Sequence, residues 1–175
     1  MPLLVIDTNV VLEWLWFREP RCDALAHAVG IGQVRWIASA AMHDEVAHVL
    51  ARGIKAGPPG DAGVVMQGWQ RWVLPTEPDA RPTPPGLRCT DTDDQKFIDL
   101  AWQAGASTLL SRDRAVLRLA RRARALGLWI GDVEAWQRSR MVDRVAPYPG
   151  TSVPGQQVSR EIAAAISAAG GRGWG

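Results

Sequence analysis

Residues 3–12 read LLVIDTNVVL. Leu3–Ile6 has no polar side chain, which predicts a central strand buried on both faces, as in parallel sheets. Asp7 follows at once, and burying an acid there is costly unless it has partners. Over residues 9–17 (NVVLEWLWF), apolar side chains then fall at 10, 11, 14, 15 and 17, a helical spacing. The chain thus opens as a strand, an acid at its carboxyl end, and a helix.

The same alternation continues outward from that start. Pro20 suits the first turn of a helix carrying Leu25, Ala26 and Val29 and stopping at Gly30. Val34–Ala38 reads as the next strand. Ser39 stands at an N-cap position, before a helix with Met42, Val46, Val49 and Leu50 that ends at Gly53. A weaker helix covers 61–73. Residues 75–86 (PTEPDARPTPPG) hold five prolines and can be neither helix nor interior strand. Beyond them the pattern predicts a helix over 93–104, a strand at Ser107–Ser111, a helix over 114–126, a strand at Leu128–Ile130 and a helix from 133. Such alternation argues for an α/β fold around a mostly parallel sheet of four to five strands. Residues 1–145 form one domain on this reading. Residues 146–175 are then a linker, an amphipathic stripe (Val158, Ile162, Ala165, Ile166, Ala169) and a frayed GGRGWG end.

Length and composition agree with one such domain. A chain of 175 residues buries about 70% of the surface its unfolded form exposes, so it needs no disulfide or metal to hold a core. Two cysteines, Cys22 and Cys89, without a partner motif, read as a reduced, cytoplasmic chain. The acid at position 7 breaks any signal-peptide pattern, and no apolar run is long enough for a membrane helix. The net charge of +2 excludes a histone-like cation and an acidic tail, and names no partner. Its distribution is uneven: nine basic against thirteen acidic residues in 1–111, nine against four in 112–144.

In an open parallel α/β sheet, ligands bind beyond the carboxyl ends of the strands. Four acids fall at related positions: Asp7 after the first strand, Glu45 on the helix after the second, Asp94 in the first turn of a later helix, and Asp113 just past the Ser107–Ser111 strand. Thr92 and Gln95 have the spacing of a capping box around Asp94. Singly, Glu45 and Asp94 read first as a surface acid and a helix-dipole acid, and Asp113 as a cap. Together they outweigh that reading. Clustered carboxylates raise one another's pKa values unless a cation sits among them, and an all-oxygen set without His or Cys favours Mg²⁺ or Mn²⁺. The implied chemistry is metal-assisted attack of water on a phosphodiester.

LLVIDTNVVL, Glu45 in EVAHVL, and CTDTDDQKFIDLAWQAGASTLLSRD together resemble a PIN-domain protein over about residues 3–137, similar to the VapC-type ribonucleases of bacterial toxin–antitoxin systems. The resemblance implies a three-layer α/β/α fold, a Mg²⁺- or Mn²⁺-dependent endoribonuclease, an RNA substrate and an antitoxin protein as partner. Asp7, Glu45, Asp94 and Asp113 match the family's acids, with Asp7, Asp94 and Asp113 as metal ligands. Thr8, Asn9 and Ser111 match the polar residues that orient them. Asp91 and Asp93 flank Asp94, and which of the three points inward depends on helix phase. Phe97, Ile98 and Ala101, at +3, +4 and +7, favour Asp94. The Pro-rich stretch and the tail after 145 have no counterpart.

RDRAVLRLARRAR (112–124) adds six arginines. Arg114, Arg118, Arg121 and Arg122 would share one face of a continuous helix, either as a solvated surface or, with Arg112, as RNA contacts beside the acids. The nine tryptophans read first as core, with base stacking secondary. The terminal stripe could cap its own domain, cross to a second copy in a homodimer, or lie in a groove an antitoxin would fill. Two other function classes stay in view: a PIN-like module that binds RNA or protein without cutting, marked by a disrupted acid set, and a small-phosphoester hydrolase, which would want a nucleophilic Asp and a lysine such as Lys96 for the phosphate.

Overall fold

The computed structural model of the protein describes residues 1–55 and 60–145, with side chains described as far as Arg140. The apolar stripe expected at 158–169 and the linker before it lie outside the described residues. Residues 1–141 cluster as one compact unit.

Among the described residues, five strands make one sheet: β1 (Leu3–Ile6), β2 (Arg35–Ala38), β3 (Val73–Pro75), β4 (Thr108–Leu110) and β5 (Trp129–Gly131). Their order is β3-β2-β1-β4-β5, and every neighbouring pair is parallel. With the helices, this is the three-layer α/β/α architecture the sequence implies. β1 is central and wholly apolar because both of its faces are covered; Leu4, Val5 and Ile6 are buried. β3 escaped the pattern. It is three residues long, it lies at the edge of the sheet, and it ends in Pro75, a residue tolerated only where an N–H need not pair.

The helices are α1 (Thr8–Val11), α2 (Asp23–Gly30), α3 (Ala40–Arg52), α4 (Ala62–Trp72), α5 (Gln95–Gln103), α6 (Arg114–Leu117), α7 (Ala120–Ala125) and α8 (Val133–Val145). α1 runs on as a wider π turn over Leu12–Trp16. α3 stops at Gly53, whose φ of +79° suits a residue without a Cβ. The N-cap residue of α3 is Ser39, but its hydroxyl makes no capping bond. Glu77, from the Pro-rich stretch, accepts from the Ala40 N–H at 3.1 Å instead. The helix expected over 114–126 is two helices. The chain turns at Arg118–Leu119, where Leu119 N–H bonds the Val116 carbonyl, and Val116, Leu119 and Ala123 all reach the core. That break removes the continuous face on which Arg114, Arg118, Arg121 and Arg122 would have lined up.

The core joins the helices to the sheet around Trp36 and Phe97, both fully buried. Trp36 packs on Trp14 and meets Trp69 edge-on, with ring centroids 5.6 and 5.0 Å apart. α5 lays Phe97, Ile98, Leu100 and Ala101 against β1 and β4. Cys22 and Cys89 are free thiols. Among the described residues, no helix is long and apolar enough to cross a membrane.

Candidate active site

Sheet order decides where a site forms. The chain builds outward from β1 to β2 and β3, then returns past β1 to lay down β4 and β5, so the switch point lies between β1 and β4. Ile6 is in register with Leu110. The next residues, Asp7 and Ser111, therefore leave the sheet side by side.

They are bonded there. Ser111 Oγ donates to Asp7 Oδ2 at 2.5 Å, and Asn9 Nδ2 donates to the same oxygen at 2.8 Å. Asn9 Oδ1 in turn accepts from the Arg112 backbone N–H at 3.1 Å. One asparagine thus holds the acid after β1 and the loop after β4. Asp7 is 3% exposed and Ser111 is fully buried. Burial raises the Asp7 pKa above its ordinary value; the bonds from Ser111 and Asn9 oppose that, and the nearby Glu45 charge adds to it. Thr8 makes no bond to Asp7; its Oγ1 is buried without a partner.

Asp94 is the N-cap residue of α5 and is half-buried, whereas Asp91 and Asp93 are exposed. Its pKa is pushed up to about 7, first by burial, then by the charges of Asp7, Asp113 and Asp91, with Lys96 pulling the other way. The Asp94 carboxylate makes no capping bond, and the expected capping box does not form. Gln95 turns outward from it. Its side chain bonds the Leu87 carbonyl (3.2 Å), the Cys89 N–H (2.6 Å) and Asp99 (2.8 Å), fastening the end of the Pro-rich stretch to α5.

Asp113 does two things. Its Oδ1 accepts from Ala115 N–H at 2.6 Å and Val116 N–H at 3.4 Å, capping α6, and its charge reaches Asp94. Glu45, on α3, forms an ion pair with Lys96, which also donates to the Asp93 carbonyl. That pairing follows from α3 and α5 lying together, and nothing in the local pattern around either residue signals it.

The four acids therefore come from four elements into one electrostatic neighbourhood. Among the described residues, however, no group of three or more His, Cys, Asp or Glu side chains is gathered closely enough to hold a metal ion. By donor chemistry the set fits a hard divalent cation: it is all oxygen, and it contains like charges whose mutual repulsion a cation relieves.

The arginines divide. Arg112 is held by acids, with Nε 3.1 Å from Glu13 Oε1 and Nη1 3.5 Å from Glu134, and Arg21 joins the same cluster through Glu134 at 3.2 Å. Arg114 and Arg118 are exposed. Cys22 is core, and burial pushes its thiol up to about 12, so it is no nucleophile at neutral pH.

A sequence model of the PIN domain matches residues 3–115, well over half of the chain. No curated protein matches it. PIN domains are typically nucleases and usually use divalent metal ions.

Proposed function

This chain belongs to the PIN-domain family, and from that premise we propose that it is a Mg²⁺- or Mn²⁺-dependent endoribonuclease acting in the cytoplasm as the toxin of a toxin–antitoxin pair. The observation that carries the nuclease reading is the Asp7–Asp94–Asp113 neighbourhood at the switch point, where burial and mutual charge raise Asp94 to about 7. Asp7, Asp94 and Asp113 would hold the ion, with Glu45 contributing once it parts from Lys96. A bound divalent ion supplies positive charge that acidifies the attacking water and offsets charge developing on the phosphodiester.

The chain's own residues prepare that place. Ser111 and Asn9 fix Asp7 Oδ2 in one orientation, so the carboxylate that would hold the ion is set in advance. Asn9 also ties the Arg112 amide, which keeps Ser111 and Asp113 in step with Asp7. Arg114 and Arg118 are candidates for the flanking phosphates; Arg112 would first have to leave Glu13 and Glu134. The toxin role, with an antitoxin protein as partner, rests on the resemblance of the acid motifs to VapC-type proteins.

Asp7→Asn preserves the size of the side chain and removes its charge. We expect it to abolish Mn²⁺-dependent cleavage of single-stranded RNA while leaving the circular dichroism spectrum and melting cooperativity intact, and to relieve any growth arrest caused by expressing the chain alone. Full cleavage by this variant would refute the assignment. Cleavage of a small phosphoester but not RNA would favour the phosphohydrolase instead.

A further inference from the structure

β5 is the other edge of the sheet, opposite β3, and it lies beyond the stretch that the family's sequence model covers. A cleft of about 290 Å³ opens beside it, lined by Ala120, Arg121, Arg124, Trp129 and Ile130. Two features set it apart from an ordinary solvated helix face.

The first is the lie of the tryptophan. Trp129 and Gly131 point to the same face of β5, two residues apart. The indole lies so far over Gly131 that a Cβ placed there would come within 2.3 Å of its Cη2. Only a glycine leaves room for that ring position. Trp129 as a residue is half-buried and lines the cleft.

The second is the state of the two arginines. Arg121 and Arg124 stand three residues apart on α7, a spacing that puts them on one helix face, and both are exposed. Some other arginines are engaged, Arg21 and Arg112 in ion pairs and Arg71 and Arg81 over Trp72 and Trp102, whereas Arg121 and Arg124 share the exposed state of Arg114 and Arg118 and differ from those in lining a cleft with a tryptophan. Among the described residues, neither Arg121 nor Arg124 has an ion-pair or ring partner. Two cations without counter-charges beside an aromatic face have the chemistry of a single-stranded nucleic-acid subsite: phosphates neutralised by arginine, a base stacked on the ring.

The cleft also has a path to the acids. The Gly131 carbonyl accepts from the Ser111 N–H at 3.0 Å, and Ser111 bonds Asp7. The ring over Gly131 is thus one strand away from the carboxylates.

We propose that Trp129, Arg121 and Arg124 form a binding subsite for one unpaired nucleotide of a single-stranded RNA, its base on the indole and its flanking phosphates on the two guanidiniums. This rests on the proposed ribonuclease function for its choice of RNA, and gives that enzyme a hold on its substrate away from the scissile bond. It would act as a positioning site, selecting unpaired strands because a base in a duplex cannot leave its stack to lie on Trp129.

The test is fluorescence anisotropy of the full chain with a labelled single-stranded RNA in EDTA, so that binding is read without cleavage. The paired change Arg121→Ala and Arg124→Ala touches no packed side chain. It should weaken binding at least tenfold and lower the salt dependence by about 0.7 in log–log slope for each phosphate left without its arginine. Trp129→Leu should weaken binding about tenfold, and Trp129→Phe much less, since it keeps an aromatic face. An oligonucleotide carrying abasic riboses should bind the unaltered chain correspondingly weakly, which checks stacking without altering the protein. Unchanged affinity in the double arginine variant overturns the proposal. So does an abasic strand that binds as tightly as a normal one, or displacement of RNA by oligoglutamate as readily as by unlabelled RNA, which would mark the cleft as a site for acidic protein segments. Asp7→Asn should lose cleavage yet bind the RNA in EDTA no more weakly than the unaltered chain, since the change only removes negative charge facing the polyanion. Loss of cleavage and loss of this binding therefore fail separately.

Discussion

Asp94 ties the stability of the protein without metal to pH. Its pKa of about 7 lies above the ordinary 3.8 because burial and the Asp7, Asp113 and Asp91 charges disfavour the ionised form. The folded state therefore holds this proton more tightly than the unfolded chain. The resulting stability is fully present below the ordinary value and is lost as the pH rises through about 7. Asp7, raised by burial, acts in the same direction. Without divalent metal the protein should melt at a lower temperature at pH 8 than at pH 5, and Asp94→Asn should flatten the difference; an undiminished slope in that variant would deny Asp94 this role. Proton and cation also compete for the same oxygens, so apparent Mn²⁺ affinity should fall as the pH drops below about 7. Asp7 was legible because it directly follows an apolar strand, and Ser111 through the resemblance of its motif; that the two meet was not, because the β1–β4 pairing joins stretches far apart in sequence. The Glu45–Lys96 pair was not, since it depends on how two helices lean together and leaves no mark on the pattern of either.

At the scale of elements, α5 shows how a local reading goes astray for a physical reason. Thr92 and Gln95 have capping-box spacing, yet Gln95 serves the Leu87 carbonyl, the Cys89 amide and Asp99 instead. A Pro-rich segment has few ways to satisfy its own backbone, so an outside amide that does so outweighs a cap. Thr83, bonded to Asp99 at 2.7 Å, and Trp102, bonded to the Pro82 carbonyl at 3.2 Å, complete the fastening. Gln95→Ala should cost about 1–3 kcal/mol in denaturant unfolding and speed proteolysis within residues 76–88. Equal proteolysis rates would show that the prolines, not the glutamine, hold the segment. The helix expected over 114–126 divides at Arg118–Leu119, and the pattern could not show it: Val116, Leu119 and Ala123 keep the i, i+3, i+7 spacing of one helix face across the break, so the periodicity reads the same on either side of it.

For the whole molecule, alternation of apolar runs and helical spacings was enough to read a parallel α/β sheet, because a strand buried on both faces must be apolar throughout. Strand order was not readable in the same way. It depends on pairings far apart in sequence, and the edge strand β3 carries too few residues to announce itself. The charge distribution takes on meaning only with the order known. Asp7, Asp94 and Asp113 meet where β1 lies beside β4, while exposed arginines stand beside the β5 edge. The near-neutral total is a sum over stretches of opposite sign.

The bond between Ser111 and Asp7 spans 104 residues of sequence. In the order of synthesis, the strand that locks Asp7 comes long after it. Closing so long a loop also places this bond among the slower ones to form. A nascent or prematurely terminated chain that ends before β4 has Asp7, Glu45 and even Asp94, but neither the hydroxyl that aims Asp7 nor Asp113. Such a fragment should show none of the metal-dependent cleavage tested with Asp7→Asn, because its first acid is never aimed.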